Sequence, residues 1–371
     1  MVNSIKKLSL LEKAHWVAVV ETIGIGPKLF TLLLNHFGSA RNIWQASADA
    51  LHDCKVSPSV VNALLKHRQD IEPISHLDRL KALGITAVCL FEADYPANLK
   101  TIDRPPPVLF VKGNLTPGDT RALAVVGTRK PTSYGREVTE IFVKDLVNAG
   151  FTIVSGLAYG IDAIAHRTTL TAAGRTLAVL GGGPDNVYPA DHRSLADDIT
   201  NHGALISEFT PGVHPLRGNF PARNRLISGL SLGVLVIEGE SKSGTKHTAH
   251  HALEQGRPIF AVPGPITSRL SDAPTDLIQK GAIAVRSVED IVNHLKLSLT
   301  PPTATDLKPE FANDLEKIIY QTLALGEQHI DDLVRALGRT TAEVSTTLTL
   351  MELKGLIKST GAGIWLKKTR V

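Results

Sequence analysis

A chain of 371 residues is long for one domain and suits two or three, with ample length to bury a large central core. Its composition, 43% hydrophobic and 20% charged, excludes a disordered or fibrous chain, and no run of about 18 apolar residues marks a membrane helix. A formal net charge of +4 tilts weakly toward polyanionic partners. Cys54 and Cys89 are the only cysteines and supply neither a disulfide framework nor a zinc site, which agrees with a reducing cytoplasm. Met1 to Leu11 carries Lys6 and Lys7 with no long apolar core behind them, so no secretory signal is expected.

Residues 9–70 read as several short helices. Ile23-Gly-Ile-Gly-Pro-Lys-Leu-Phe30 breaks a helix at a glycine turn before Lys28 to His36 begins another. The pattern is that of a helix-hairpin-helix, whose turn can offer backbone N–H groups to a DNA phosphate, with Val56 to Val61 as a degenerate second copy. A small helical packing domain that touches no nucleic acid accounts for it equally well. The expected boundary of this helical, SAM-like or helix-hairpin-helix-like domain is 1–76. Residues 77–120 look transitional, with strands at Ala87 to Phe91 and Val108 to Lys112 around Pro96 and Pro105 to Pro107.

From 121 to 297 the pattern alternates strand and helix, which predicts an α/β domain with a Rossmann-like parallel sheet, its ligands at the carboxyl ends of the strands. Ala122-Leu-Ala-Val-Val-Gly-Thr-Arg-Lys130 is a doubly covered strand running into a glycine and two cations. Pro131-Thr-Ser133 caps a helix over Tyr134 to Asn148, whose free N–H groups and dipole favour a phosphate at its start. Phe151 to Gly156 and Thr176 to Gly183 repeat the strand-then-glycine grammar, and further strands fall at Ala204 to Ser207, Gly233 to Glu238, Ile259 to Val262 and Ala282 to Val285. The extended domain is taken as 77–297. Residues 298–310 have linker composition.

The tail, 311–371, predicts helices at Asn313 to Leu325, Ile330 to Leu337 and Thr341 to Lys354, then two strands around Gly361-Ala-Gly363. That is a winged-helix pattern. The exposed face of its third helix is rich in threonine, carries Glu343 and Glu352, and has only Arg339 and Lys354 as cations, which favours protein contact over a DNA groove.

Two further clusters carry chemistry. Asn219-Phe-Pro-Ala-Arg-Asn-Arg225 places an aromatic, two arginines and an amide at a helix start, so that Arg223 and Arg225 can fork phosphates while Phe220 stacks a base; the alternative is a surface helix start with a buried Phe. Glu238 to Thr245 follows a strand and opens a helix, so Ser243, Gly244 and Thr245 can offer donors beside Lys242. The Walker A order is absent, and ATP hydrolysis is unsupported. Asp162 and His166, four apart, read as a structural pair. His247, His250 and His251 share a helix face, but no carboxylate or thiol is evident beside them, so no metal site is assigned.

Val125-Val-Gly-Thr-Arg129, Val154-Ser-Gly-Leu-Ala-Tyr-Gly-Ile-Asp162, Ala178-Val-Leu-Gly181, Phe220-Pro-Ala-Arg-Asn-Arg225, Ser243-Gly-Thr245 and Ala261-Val-Pro-Gly264 together resemble, in order and over about 121–285, the motifs of the DNA-processing protein A family (DprA, also called Smf). The resemblance implies a non-enzymatic, cofactor-free protein that binds and protects single-stranded DNA and loads the RecA recombinase onto it in natural transformation. It also implies a homodimer formed through the Rossmann-like domain. By motif, Gly127, Thr128, Arg129 and Lys130 would grip phosphates, Ser155 and Gly156 would line the pocket floor, and Phe220, Arg223, Asn224, Arg225 and Lys242 would complete a groove with Ser243, Gly244 and Thr245. Two stretches depart from the family pattern. Ser243-Gly-Thr-Lys-His-Thr-Ala249 stands where the family has Ser-Gly-Ser-Leu-Ile-Thr-Ala, and Asp272-Ala-Pro-Thr-Asp276 replaces an expected Gly-Thr-Asn. A Rossmann-like nucleotide hydrolase is the alternative, although Gly181-Gly-Gly-Pro184 lacks the continuation such an enzyme needs.

Overall fold

The computed structural model describes residues 8–241, 243–297, 311, 313–323, 328–353, 356–361 and 363–367. They fall in two compact units, Met1–Thr300 and Pro301–Val371.

The first unit opens with six helices: α1 (Leu10–Val20), α2 (Pro27–Phe37), α3 (Ala40–Gln45), α4 (Ala48–Asp53), α5 (Pro58–Asp70) and α6 (Pro73–Ala82). Their starts follow local chemistry. Ser9, Ser39 and Ser47 accept from the backbone N–H three residues on, and Pro27, Pro58 and Pro73 open the other three, where a missing N–H costs nothing. Gly24, at φ +92°, makes the tight turn between α1 and α2, and a Cβ there would meet the Val60 side chain at 2.6 Å. Trp16, Phe30, Leu33, Ile43, Leu51 and Leu64 form their core.

That core continues onto Ile85, Ala87 and Cys89 of β1 (Ile85–Cys89) and Val108 and Phe110 of β2 (Val108–Gly113), with α7 (Ala97–Lys100) between them. The stretch expected to be transitional is thus an antiparallel hairpin. Its strands pair from Ile85 with Lys112 to Cys89 with Val108, and β2 pairs with the main sheet. The helical region and the sheet share side chains across positions 76 and 77 because one face of this hairpin serves as the floor of the helical core.

The main sheet continues through β3 (Ala122–Val126), α8 (Ser133–Asn148), β4 (Thr152–Ser155), α9 (Ile161–Thr171), β5 (Thr176–Val179), α10 (Arg193–His202) and β6 (Gly203–Ser207). There follow α11 (Asn219–Gly229), β7 (Val234–Val236), α12 (Thr245–Glu254), β8 (Ile259–Ala261), α13 (Asp272–Gln279), β9 (Ile283–Ala284) and α14 (Val288–His294). The strand order is β1-β2-β6-β5-β4-β3-β7-β8-β9, parallel from β6 to β9. Strands β3 to β8 are buried along their whole length because both faces are covered, and β3, β7 and β8 read as unbroken apolar runs. Leu226, Ile227, Ala249 and Leu277 of α11 to α13 pack on one face; Phe142, Ile161, Ile199 and Ile291 of α8, α9, α10 and α14 pack on the other. Chain direction along the sheet reverses between β3 and β7, and in such sheets ligands bind at that switch point, beyond the carboxyl ends.

The second unit holds α15 (Asp314–Leu323), β10 (Gln328–His329), α16 (Ile330–Leu337), α17 (Thr341–Leu353), β11 (Ile357–Gly361) and β12 (Ile364–Lys367). Ile319, Leu333, Val344, Leu348, Met351 and Ile357 form its core. The strands make an antiparallel sheet in the order β10-β12-β11, a winged helix in which β10 is a strand the sequence pattern did not signal. The linker assigned to 298–310 lies outside the described residues, as do Leu325 and Lys354, the expected ends of two tail helices. No described helix is long and apolar enough to cross a membrane.

Candidate nucleic-acid interface

An open cleft of about 730 Å³ lies at the switch point. Its walls come from the carboxyl ends of β3 and β7 and from the facing sides of α11 and α12.

The β3 wall is Gly127-Thr-Arg129. Thr128 is fixed by its backbone, its N–H donating to the Glu238 carbonyl at 2.8 Å and its own carbonyl accepting from Ile161 N–H at 3.1 Å. Arg129 is exposed and makes no hydrogen bond or ion pair among the described residues, so its charge faces the cleft uncompensated. Lys130, also exposed, is not part of the lining; its N–H turns back to Thr128 Oγ1 at 3.3 Å.

The start of α8 corrects one expectation. Thr132 is the cap, accepting from Gly135 N–H at 3.0 Å, and the buried Glu238 carboxylate takes Thr132 Oγ1–H at 2.5 Å and Thr132 N–H at 3.0 Å. Glu238 lies so close to Gly135 that no Cβ would fit there. The chain's own carboxylate fills the place assigned to a phosphate.

The start of α12 is different. Its cap residue is Gly244, with no side-chain hydrogen bond, and the N–H groups of Gly244 and Thr245 find no acceptor among the described residues. Ser243 Oγ is buried without a partner, and the hydroxyls of Thr245 and Thr248, both in the lining, make no hydrogen bond among the described residues. Free donors on a helix N-terminus form a ready anion site. Lys242 lies outside the described residues.

The α11 wall separates the two arginines expected to act together. At 100° per residue, Phe220, Arg223, Asn224 and Ile227 share the cleft face, while Arg225 points nearly the opposite way. Arg225 ion-pairs with Glu208 and donates to the Arg104 carbonyl at 2.9 Å, bordering a separate cavity of about 460 Å³ near the α1–α2 turn. It is removed from the phosphate set for that reason.

Arg223 faces the cleft but is only 4% exposed. One guanidinium nitrogen donates to the Gly156 carbonyl at 2.7 Å and to the Val179 carbonyl, while Nε donates to Asn224 Oδ1 at 3.3 Å. Burial lowers its pKa to about 10, the nearby Asp162 carboxylate opposes that fall and Arg129 adds to it; at neutral pH Arg223 remains charged. The guanidinium covers Gly156, where a Cβ would meet it at 2.6 Å, so the expected pocket floor is Arg223 itself and Gly156 lies beneath. Ser155 is buried lower still, its hydroxyl donating to the Val125 carbonyl at 2.7 Å.

Asp162 and His166 do not form the pair their spacing suggested. Asp162 accepts from Gly156 N–H at 3.1 Å and Ala158 N–H at 3.4 Å, whereas His166 Nδ1 sits 2.7 Å from Thr176 Oγ1. Burial raises the Asp162 carboxyl, with Arg223 pulling it back, and lowers His166 to about 3, which leaves that ring neutral. Among the three helical histidines, His250 Nε2 and His251 Nδ1 lie 3.4 and 3.2 Å from Glu254, a carboxylate the sequence reading did not place beside them, and His247 lines the cleft instead. No group of three metal-ligating side chains is found among the described residues.

Phe220 is half-buried. Its ring lies against Gly181, with Tyr188 at 5.6 Å between centroids and the Arg223 guanidinium 5.8 Å from its centre. Tyr188 and Arg217, both exposed and in the lining, were missed by the motif reading. Arg217 stands two residues before the quoted Asn219 cluster, and Tyr188 follows the Gly181 to Gly183 strand end, so chain proximity to a motif was the available signal.

The two departures from the family pattern meet in space. Lys246 Nζ bonds Asp276 Oδ2 at 2.8 Å, and Ser241 Oγ donates to the same oxygen at 3.3 Å. Ser241 in the loop before α12 and Lys246 in its first turn are thereby tied to α13, and none of the three residues is in the lining.

The family model described as DNA recombination-mediator protein A matches residues 86–296, more than half of the chain, and that described as the DprA winged helix domain matches 299–363. The chain belongs to the DprA/Smf family. Among curated relatives, the Smf protein of Synechocystis is 33% identical over 93% of this chain and 96% of its own length, and the DNA processing protein DprA of Bacillus subtilis is 46% identical over 57% of this chain and 72% of its own. The crystal structure of Streptococcus pneumoniae DprA superposes with a TM-score of 0.67 at 33% identity, covering 78% of this chain and 98% of that one. A Helicobacter pylori DNA processing protein A structure, described for its single-stranded DNA binding mode, matches with a TM-score of 0.51 at 28% identity over 57% of this chain and 95% of that one.

Proposed function

We propose that this DNA-processing family member binds single-stranded DNA in the switch-point cleft without reading its sequence. The observation that carries the reading is the convergence, in one open cleft, of the unpaired α12 donors, the uncompensated Arg129 and Arg217, and the half-exposed Phe220 ring. Phosphates would lie at Gly244, Thr245 and Arg129, and a base against Phe220. Cations along a groove with an aromatic platform are what a sequence-tolerant single-strand site requires. Arg223 and Asn224 would hold the floor rigid.

Loading of the RecA recombinase onto the bound strand, which the family's description as a recombination mediator supports, and assembly of two chains through this domain belong to the same proposal. The hydrolase alternative needs a carboxylate free to orient water. Glu238 is held by Thr132, and Asp162 by two N–H groups beside Arg223, so among the described residues only Glu240, exposed in the lining, could serve, and Glu240→Gln without loss of strand binding is expected. The test is a gel-shift titration with single-stranded and duplex DNA of equal length across ionic strength. Preference for the single strand, with affinity falling as salt rises through counterion release, is expected. Duplex preference or salt-independent binding would refute the reading.

A further inference from the structure

Two exposed tyrosines stand on the carboxyl edge of the sheet with no task in the site described so far, Tyr188 in the cleft lining and Tyr159 outside it. Tyr188 is 52% exposed and Tyr159 43%, a large aromatic area for one edge of a sheet to leave in water. Strands β5, β4 and β3 are neighbours, so the loops bearing Tyr188, Tyr159 and Arg129 follow one another along the carboxyl edge. Tyr188 meets Phe220 inside the cleft. Tyr159 stands beyond it, next to Gly160, which packs so closely on the Thr128 and Arg129 backbone that no Cβ would fit.

The Tyr159 ring is also held in place. Its hydroxyl donates to Asp191 Oδ2 at 2.8 Å, and its ring makes a T-shaped pair with His192, centroids 4.9 Å apart. A fixed ring loses little entropy when a planar partner settles on it. The Asp191 carboxylate disfavours a phosphate directly over Tyr159, so contact there is with a base.

We propose that Tyr188 and Tyr159 form a second stacking tract that carries a single strand along the carboxyl edge of the sheet from Phe220 toward Arg129, taking bases of any sequence. The inference rests on the single-strand reading above. Continuity with the cleft and the adjoining Arg129 charge select a nucleic acid strand over an apolar protein segment as the occupant.

The experiment compares an oligothymidylate of roughly 20 nucleotides, longer than a single-module site, with an abasic deoxyribose-phosphate oligomer of equal length, by fluorescence anisotropy on the full chain. Tyr159→Ala and Tyr188→Ala are each expected to weaken oligothymidylate binding about 5- to 150-fold, the range for losing one base stack, and to leave abasic binding at the wild-type level. Tyr159→Phe, which keeps the ring and drops the Asp191 bond, should bind as wild type. Alanine variants that bind both oligomers as wild type, or weaken on both alike, overturn the tract; so does a Tyr159→Phe loss equal to that of alanine. Arg129→Ala separates the two levels of the claim. If wild type binds neither oligomer, or Arg129→Ala changes neither, the cleft reading itself fails and the tract with it, whereas Arg129-dependent binding with tyrosine-independent affinity removes the tract alone.

Discussion

Arg223 offers the sharpest separation between a ligand contact and a scaffold role, because its environment fixes the size of the effect. Replacing it with methionine removes a buried cation that bonds the Gly156 and Val179 carbonyls and faces Asp162. Two buried carbonyls left without donors cost about 1 to 3 kcal/mol each, and the buried Asp162 carboxylate, to which Arg223 makes no direct ion pair, loses a favourable charge nearby. These effects overlap, so the expected loss in a urea unfolding experiment is about 3 to 5 kcal/mol. The pH dependence identifies the cause. A carboxyl whose folded pKa lies above its unfolded value contributes stability that is full below the unfolded value and lost as pH rises through the folded one. Asp162 is raised by burial from 3.8, and Arg223 now holds that rise in check. Without Arg223 the rise grows, so the deficit of Arg223→Met should be smallest near about pH 4 and largest at neutral pH, and adding Asp162→Asn should recover part of it and flatten the pH curve. A loss below about 1 kcal/mol, or strict additivity of the two substitutions, would refute the coupling.

Arg129→Ala is expected to weaken DNA of all sequences alike and to reduce the slope of log affinity against log salt by about one, with an unchanged unfolding midpoint, since its exposed side chain has no partner to lose. Phe220→Ala should lower strand affinity by about 1 to 3 kcal/mol while destabilising the fold by less than the roughly 3 to 5 kcal/mol of a core Phe, because its ring is only half-buried; a full core cost with wild-type affinity in calorimetric titration would remove the stacking role. Glu238→Ala strips the acceptor from Thr132 and should lower the urea midpoint by the equivalent of about 1 to 3 kcal/mol. Asp276→Ala should change stability by no more than about 1 kcal/mol, as for other part-exposed ion pairs, yet hasten amide exchange in the loop from Ser241 to Lys246, and Lys246→Asp with Asp276→Lys should slow it again.

The sheet was legible because its strands are short β-branched runs bounded by glycine, a pattern that only a doubly covered strand makes easily. Each expected strand from β1 to β9 ends within two residues of its observed limits, and the motif residues at β3 and β7 fall where the sheet reverses direction. What escaped was set by partners distant in sequence. The role of Glu238 depends on Thr132, and that of Arg223 on carbonyls of two strands; no local pattern encodes either. Arg225 is another matter. Once the Asn219 cluster is placed on a helix, the 100° step already turns Arg225 away from Phe220 and Arg223, so the helical period alone separates it from the phosphate set.

The anion site proposed for the cleft rests on a contrast between two helix starts at the same edge of the sheet. Both α8 and α12 follow strands at the switch point, and both have a dipole that would draw a negative charge. At α8 the demand is met internally: Thr132 and Glu238 bring a carboxylate and a hydroxyl to the first turn, so a phosphate there would face a like charge. At α12 a glycine cap leaves the backbone donors open, and Ser243, Thr245 and Thr248 add hydroxyls that no described group of the protein accepts from or donates to. Asp276 is held by Lys246 and Ser241 off the lining, which leaves the exposed Glu240 and the N–H-bound Asp162 as the carboxylates of the cleft. On the single-strand reading, closing one helix start with Glu238 while leaving its neighbour open would put a phosphate between Arg129 and Gly244, and the position of Phe220 in the same cleft follows from the face of α11 that also carries Arg223.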